Sequence, residues 1–305
     1  MSNAKLIASG LLFPEGPIAM PDGSIILVEI KRGTLTRVTA AGKVEVIAEL
    51  GGGPNGAAIG PDGACYVCND GGFEFHEVDG ALIPGDAPAD YSGGRIERVD
   101  LKTGKHEVLY RECNGIPLNG PNDIVFDKHG GFWFTDLGKG RGRTQDRGGL
   151  YYAKIDGSMI KEVIFPIVSP NGVGLSPDEK TVYVADTIPG RLWAFDIVAP
   201  GEIAKQAGPL PGRYVGSGPQ LCFFDSLAVD SQGNICVATI FNGGITTFSP
   251  DGSKITHTPT DDFLTTNICF GGKDLKTAYI TLSSSGRLIS MDWPVSGLPL
   301  NFLNK

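Results

Sequence analysis

Residues 14–28 read Pro-Glu-Gly-Pro-Ile-Ala-Met-Pro-Asp-Gly-Ser-Ile-Ile-Leu-Val, and this stretch contains the unit from which the chain is built. A turn leads into a short apolar segment, Pro21-Asp22-Gly23 supplies a hairpin signal, and a run of aliphatic residues follows. Asp-Gly between apolar runs favours a tight hairpin, and Ile and Val favour strands. The stretch therefore predicts two antiparallel strands joined by a short turn.

The same unit recurs six times, at an irregular spacing of about 40 to 67 residues. The copies begin at or near Pro14, Pro54, Pro121, Pro170, Phe224 and Thr266. Weaker third and fourth strands follow, for example at Gly33–Val38 and Gly94–Val99. Four strands in each of six units predict an all-β fold, a six-bladed β-propeller with four antiparallel strands per blade, as one domain over residues 1–305. Two β-sandwiches are the alternative, but they predict a mid-chain linker and none is visible.

Composition agrees with this fold class and excludes several functions. The 305 residues include 44 Gly and 21 Pro, which leaves little room for long helices. A net charge of −8 without long runs of like charge disfavours nucleic acid and anionic membranes as partners.

The six cysteines lie mostly in apolar, strand-like stretches, which predicts buried thiols rather than a metal site. No signal peptide or membrane-spanning stretch is visible. We therefore expect a soluble, cytoplasmic protein, either a monomer or a weak homo-oligomer.

Propeller topology predicts which end of the molecule carries function. If each innermost strand starts at the top of the channel, the segments that follow each second strand also emerge on top. The long segments 71–93, 111–121, 137–148 and 207–223 fall at those positions. Loops on a rigid scaffold commonly carry function, so the top is the predicted working face.

One position of the repeat, at the start of each innermost strand, predicts a metal site. It is occupied by Glu15, Asn55, Asn122, Asn171, Asp225 and Asn267. A single Asn after Pro is an ordinary turn residue, but this does not explain why the two copies without Asn carry acids. Two carboxylates about 5 Å apart repel by roughly 3 kcal/mol, a cost that a bound cation removes. The all-oxygen set indicates one divalent ion, Ca²⁺ in the first place, with Mg²⁺, Mn²⁺ or Zn²⁺ as other candidates.

Other catalytic arrangements fit the sequence less well. Of four histidines only His76 lies in a predicted top loop, which disfavours a Ser-His-Asp triad, and no Gly-x-Ser-x-Gly motif occurs. The segment Gly138–Arg143 looks like a phosphate-binding loop but lacks the Gly-Lys-Ser/Thr ending. We expect it to be a flexible top loop.

Four motifs together resemble a known family. They are Phe13-Pro14-Glu15-Gly16-Pro17, Pro121-Asn122-Asp123, Ser169-Pro170-Asn171-Gly172 and Phe224-Asp225-Ser226-Leu227-Ala228-Val229-Asp230. They are similar to motifs of the senescence-marker-protein, gluconolactonase and luciferin-regenerating-enzyme family, and more distantly to calcium-dependent phosphotriesterases. The resemblance implies that Glu15, Asn122, Asn171 and Asp225 surround one catalytic divalent metal. Gly120 stands where sugar-lactonase members often carry Arg, which weakens the case for an aldonolactone.

These observations suggest metal-assisted hydrolysis of a cyclic ester by a lactonase-type carboxylic ester hydrolase. The metal would polarise the carbonyl of a small lactone or ester, and Asp225 is the candidate general base, with nucleophile or ligand roles left open. Asn122 would hold the carbonyl. The further substrate-binding candidates are Asn55, Asn267 and His76.

Two other functions remain open. The same metal site could serve a phosphotriesterase-type hydrolase. A non-catalytic binding propeller with a structural metal is the second alternative, and it predicts a broad, exposed apolar top surface.

Overall fold

The innermost strands of six small antiparallel sheets contact one another in a closed cycle around a central channel. This computed structural model describes residues 4–205, 208 and 210–305. Each sheet has four principal strands, so the predicted six-bladed β-propeller is confirmed. The described residues contain strands and turns but no helix, and hence no helix that could span a membrane.

In every blade the first strand borders the channel and the fourth lies outermost. Blade 1 consists of Pro14–Ala19, Ile25–Glu29, Thr34–Val38 and Val44–Glu49. Blade 2 consists of Pro54–Ile59, Cys65–Asn69, Arg95–Val99 and His106–Tyr110. Blade 3 consists of Pro121–Phe126, Gly131–Asp136, Gly148–Lys154 and Ile160–Ile167.

Blade 4 consists of Pro170–Leu175, Thr181–Asp186, Arg191–Ala199 and Arg213–Ser217, with the short Glu202–Ile203 paired to the third strand. Blade 5 consists of Phe223–Val229, Ile235–Ile240, Gly244–Phe248 and Ile255–Pro259. Blade 6 consists of Thr265–Gly271, Thr277–Leu282, Arg287–Asp292 and, from the other end of the chain, Lys5–Ala8.

The outermost strand of blade 6 closes the propeller. Lys5–Ala8 pairs antiparallel with Arg287–Asp292, with Lys5 opposite Ser290. Backbone hydrogen bonds therefore join the two ends of the described chain, and the blades cannot separate there without losing them.

Apolar side chains fill the space between neighbouring blades. Between blades 2 and 3, Tyr66 packs edge-on against Phe126 at 5.2 Å between ring centroids, and Phe132 lies 5.9 Å from Tyr66. All six cysteines are buried and free, as predicted. This packing makes the blades a rigid support for the channel strands.

Three of the long top segments contain hairpins of their own. They are Phe75–Val78 with Ala81–Pro84, Glu112–Cys113 with Ile116–Pro117, and Gly140–Arg141 with Thr144–Gln145. The segment Gly138–Arg143, expected to be a flexible loop, thus enters a hairpin, and its Lys139 is buried. The segment 207–223 includes the outermost strand of blade 4, while residues 207 and 209 lie outside the described residues.

Candidate functional site

All six ring residues lie near the start of an innermost strand, at the same end of the channel. Four are the second residue of their strand, whereas Asp225 and Asn267 are the third. Five of the six are only 2–5% exposed, and Asp225 is partly exposed. The structure therefore brings the ring residues to one level of the channel, which we call the ring end.

Each innermost strand has an irregular register at its ring residue. Pairing with the second strand is interrupted at 15–18, 54–57, 121–124, 170–173, 224–227 and 265–267. An extra residue in one strand bends it and changes the direction of its side chains. Because the six irregularities lie at equivalent positions, the side chains of all the ring residues depart in the same way from the regular alternation along a strand.

Close contact between neighbouring strands explains the glycine that follows several ring residues. A Cβ on Gly16 would lie 2.6 Å from the carbonyl oxygen of Asn55, and one on Gly172 would lie 2.8 Å from that of Asp225. A Cβ on Gly56 would likewise lie too close to backbone atoms of the next blade. Real Cβ atoms do not approach carbonyl oxygens this closely, so glycine holds the ring backbones against one another.

Glu15 is fixed by the last blade. Asn267 Nδ2 donates a 2.7 Å hydrogen bond to Glu15 Oε2, and the Gly16 N–H donates to the same oxygen at 2.8 Å. Asn267 Oδ1 accepts from the Ile268 N–H at 2.8 Å, so both polar atoms of this amide are in use. Burial raises the pKa of Glu15. In this arrangement Asn267 orients Glu15.

Asn122 has a buried polar atom without a partner. No residue that the structure describes donates a hydrogen bond to Asn122 Oδ1. Such an orphaned oxygen costs about 1–3 kcal/mol, so the position favours a donor or a cation. Hard divalent ions bind amide and carboxylate oxygens, and the residue types of the ring fit one.

Asp225 is electrostatically linked to Glu15. Burial of the carboxyl group raises the pKa of Asp225 well above its usual value, and the charge on Glu15 raises it further. A side-chain hydrogen bond from Asn171 opposes this shift. Two acids that raise each other's proton affinity also favour a cation between them, because it removes the same repulsion.

Asp123 is a third acid at this end of the channel, and the sequence reasoning did not assign it a role. Its carboxylate accepts hydrogen bonds from the Ile124 and Val173 N–H groups at 2.9 and 3.3 Å. Burial, together with the charge on Glu15, raises the pKa of Asp123 to about 7. The sequence marks Asp123 only by placing a carboxylate where three other copies of the repeat have glycine.

Within the part of the chain that the structure describes, no three His, Cys, Asp or Glu side chains converge as metal ligands. The ligand set implied by the family resemblance contains only two such residues, Glu15 and Asp225, together with two amides. The donor chemistry of the ring, rather than a cluster of acids or imidazoles, is what fits a hard cation.

A hairpin from blade 2 extends over this end of the propeller. Its Leu82 N–H donates to the Ser284 carbonyl of blade 6 at 2.9 Å, and Phe75 packs on Phe13 of blade 1 at 5.2 Å. His76 lies on an exposed strand of this hairpin, next to Gly85. Its role in substrate binding stays a prediction.

Below the ring, the channel forms a cavity of about 120 Å³. It begins at Gly16, Asp123 and Asn267, and apolar side chains of the innermost strands line it further down. Residues 298–305 pack across its lower end, where Asn301 Nδ2 donates to the Phe126 carbonyl at 3.1 Å. The C-terminal segment thus borders the cavity opposite the ring.

The chain is similar in sequence to proteins named lactonase and gluconolactonase. The lactonase drp35 of Staphylococcus saprophyticus is 32% identical over 238 residues, which are 76% of this chain and 65% of that protein. The gluconolactonase of Zymomonas mobilis is 26% identical over 308 residues, covering 92% of this chain and 78% of that protein. The chain therefore spans about two thirds of the length of the first relative.

The fold has close counterparts among solved structures. A calcium-binding protein, regucalcin, from Agrobacterium tumefaciens superposes with a TM-score of 0.73 at 20% identity, covering 94% of this chain and 92% of that one. Residues 13–284 match the profile described as the SMP-30/Gluconolactonase/LRE-like region. This match spans all six innermost strands and every ring residue, and the chain accordingly belongs to the SMP-30/gluconolactonase/LRE-like family.

Proposed function

We propose that this chain hydrolyses a small lactone at the ring end of its channel, as a lactonase-type carboxylic ester hydrolase. The observation that carries the proposal is the ring itself, in which two electrostatically linked acids, Glu15 and Asp225, accompany the orphaned Asn122 oxygen. The names of the curated relatives, lactonase and gluconolactonase, support the same reaction class.

Glu15, Asn122, Asn171 and Asp225 would hold one divalent cation, Ca²⁺ in the first place. When bound, such a cation supplies Lewis-acid polarisation of an ester carbonyl and stabilises the negative charge that develops on its oxygen. The hydrogen bonds from Asn267 and Gly16 fix the orientation of the Glu15 carboxylate.

Asp225 is our candidate general base. Asp225 is the ring residue with the greatest exposure, and the side chain of Asn171 hydrogen-bonds to its carboxyl group. In the cation-bound protein, its carboxylate would accept the proton that an attacking water gives up. Asn122 and Asn55 would position the lactone above the ring, and the hairpin from blade 2 would limit access of bulk water.

The test starts from chelated protein. Opening of glucono-δ-lactone and δ-valerolactone would be measured with chelator, and then with added Ca²⁺, Mg²⁺, Mn²⁺ or Zn²⁺. We expect turnover only with metal, and Asp225→Asn should lower kcat by about 10²–10⁴-fold at saturating metal. Asp251→Asn, in an exposed turn, is the matched control and should leave kcat unchanged.

Two results would contradict the proposal. Lactone opening that survives both chelation and Asp225→Asn would exclude the ring as its site. Turnover of organophosphate triesters but not lactones would instead favour a phosphotriesterase-type reaction on the same residues.

A further inference from the structure

Lys139 is entirely buried, although the sequence places it in a glycine-rich, basic segment. Its side chain is 0% exposed. Nζ donates hydrogen bonds to Asp70 Oδ1 at 2.9 Å and to the Gly72 carbonyl at 2.8 Å, and it lies 3.2 Å from the centroid of the Phe73 ring. Burial lowers the pKa of Lys139, and the charge of Asp70 opposes this shift. A buried ammonium group that is held by two hydrogen bonds and an aromatic ring has a fixed position, and it is not available for contacts at the surface.

Asp70 connects this lysine to the ring. It follows the second strand of blade 2, is 1% exposed, and uses its other oxygen, Oδ2, to accept a 3.2 Å hydrogen bond from Asn55 Nδ2. Its Oδ1 also accepts from the Gly72 N–H at 2.8 Å. Lys139 of blade 3, Asp70 and the ring residue Asn55 therefore form one continuous buried chain of polar contacts.

This chain determines which atom of Asn55 remains available. A carboxylate only accepts hydrogen bonds, so the NH₂ group of Asn55 must face Asp70 and its Oδ1 must face away. No described residue donates to that oxygen, and Asn55 is 5% exposed. Asn55 differs in this from Asn267, whose Oδ1 is taken by Ile268. The free group at Asn55 is thus an acceptor, and it suits a hydroxyl donor.

We propose that Lys139 is a positioning residue, which holds Asp70 so that Asn55 presents its Oδ1 to a hydroxyl group of the substrate, and that the site favours hydroxylated lactones for this reason. This inference rests on the proposed function, and it assigns to Asn55 a hydroxyl contact that Gly120, which stands in place of the arginine of sugar lactonases, does not supply. Lys139 also binds the Gly72 carbonyl at the start of the blade 2 hairpin segment, so the same ammonium group fixes the ring residue and the segment above it.

The test compares two substrates in a double-mutant cycle. The variants are Lys139→Met, which keeps the length of the chain without its charge, Asn55→Ala, and the two combined. Glucono-δ-lactone carries hydroxyl groups and δ-valerolactone carries none. We expect each single variant to lower the ratio of kcat/KM for the hydroxylated over the plain lactone by roughly tenfold, the effect of one hydrogen bond. The double variant should lose no more than Asn55→Ala alone.

Lys161→Met is the matched control, because Lys161 forms only an exposed 3.4 Å ion pair with Glu202 and should not change the ratio. Equal losses on both lactones, or a further loss when Lys139→Met is added to Asn55→Ala, would overturn the proposal. If Lys139→Met does not fold, Asp70→Asn replaces it in the same cycle.

A second readout separates this inference from the proposed function. If the wild-type protein opens neither lactone, the proposed function fails, and the link between the residues is decided by NMR of the Asn55 side-chain amide. Its NH₂ protons should exchange with solvent at least tenfold faster in Lys139→Met than in the wild-type protein. An unchanged exchange rate would overturn the positioning role of Lys139.

Discussion

Asn267 in the last blade donates its 2.7 Å hydrogen bond to Glu15 in the first blade across 252 positions of sequence. Blades 1 and 6 meet at this contact, and blade 6 is itself completed by the strand Lys5–Ala8. The region that closes the propeller therefore also orients one of the two ring acids, Glu15. Substitutions that remove this hydrogen bond should therefore lower the free energy of unfolding and disturb the orientation of Glu15 in the ring.

Asn267→Asp should destabilise the metal-free protein in a pH-dependent way. The substitution replaces a donor with a second carboxylate next to Glu15, and two charges about 4 Å apart repel by roughly 4 kcal/mol at a surface-like dielectric constant. Repulsion raises the folded-state pKa values of the pair, so the loss should be larger at pH 8 than at pH 5. Urea unfolding in chelator at both pH values measures it. Asn304→Asp keeps its acceptor for the Leu300 N–H and serves as the control. Equal losses at both pH values would contradict this account.

Asp123 should make the metal-free protein less stable as the pH rises. Because burial raises the pKa of Asp123 to about 7, the native state keeps a proton that the unfolded chain releases near pH 4. Between these values the native state binds more protons, so the free energy of unfolding falls by up to about 1.4 kcal/mol per pH unit. Asp123→Asn should flatten this slope in urea unfolding between pH 4.5 and 7.5. Asp251→Asn should leave it unchanged, because hydrogen bonds lower the pKa of exposed Asp251 to about 2. A slope that Asp123→Asn leaves unchanged would contradict the assignment, whereas a shallower one is expected because burial also raises the pKa values of Glu15 and Asp225.

The repeat could be predicted from the sequence because its signals are local. Turn residues and alternating strands such as Ile25–Glu29 recur within short windows, so six copies can be aligned without tertiary information. The strand Lys5–Ala8 lacks this signature, since it has no hairpin partner nearby in sequence and is defined only by its pairing with the other end of the chain. The burial of Lys139 was likewise beyond prediction, because it depends on Asp70, 69 positions away.

The hydrogen bonds that support the ring could not be predicted from local sequence patterns either. At the end of the second strand in blades 1 to 4, a buried side-chain oxygen accepts a hydrogen bond from a backbone N–H that precedes the ring residue. The pairs are Glu29 with Leu12 at 2.7 Å, Asn69 with Gly53 at 2.9 Å, Asp136 with Gly120 at 2.7 Å and Asp186 with Ser169 at 2.8 Å. These acceptors stand at equivalent positions of the repeat, so an alignment of the copies places them together. Their function depends on pairing between strands, which a single sequence does not display.

Gly172→Ala should weaken the fold and the ring together. Its backbone does not adopt a positive φ, so the cost arises from contact alone, since the new Cβ would lie 2.7 Å from the Leu227 nitrogen and 2.8 Å from the Asp225 carbonyl oxygen. Overpacking of this kind costs about 1–3 kcal/mol. Gly157→Ala is the comparison, because Gly157 has a φ of +73° and nothing within 4 Å, and it isolates a backbone cost of about 1–2 kcal/mol. Urea unfolding and lactone turnover would be measured for both. We expect only Gly172→Ala to reduce turnover, and an unchanged rate would show that this contact does not position Asp225.

Removal of residues 298–305 should expose the lower end of the channel. In the intact chain, Asn301 Nδ2 hydrogen-bonds to the Phe126 carbonyl at 3.1 Å and to Glu179 Oε1 at 3.0 Å, and Phe302 packs edge-on against Phe126. Without this segment the apolar lining of the 120 Å³ cavity meets water, so binding of the dye ANS should rise and the free energy of unfolding should fall. Asn301→Ala, which removes only the hydrogen bonds, should cost about 1–2 kcal/mol and leave ANS binding near the wild-type level. If the truncated chain binds no more dye than Asn301→Ala, the segment does not shield the channel and its contribution is limited to those polar contacts.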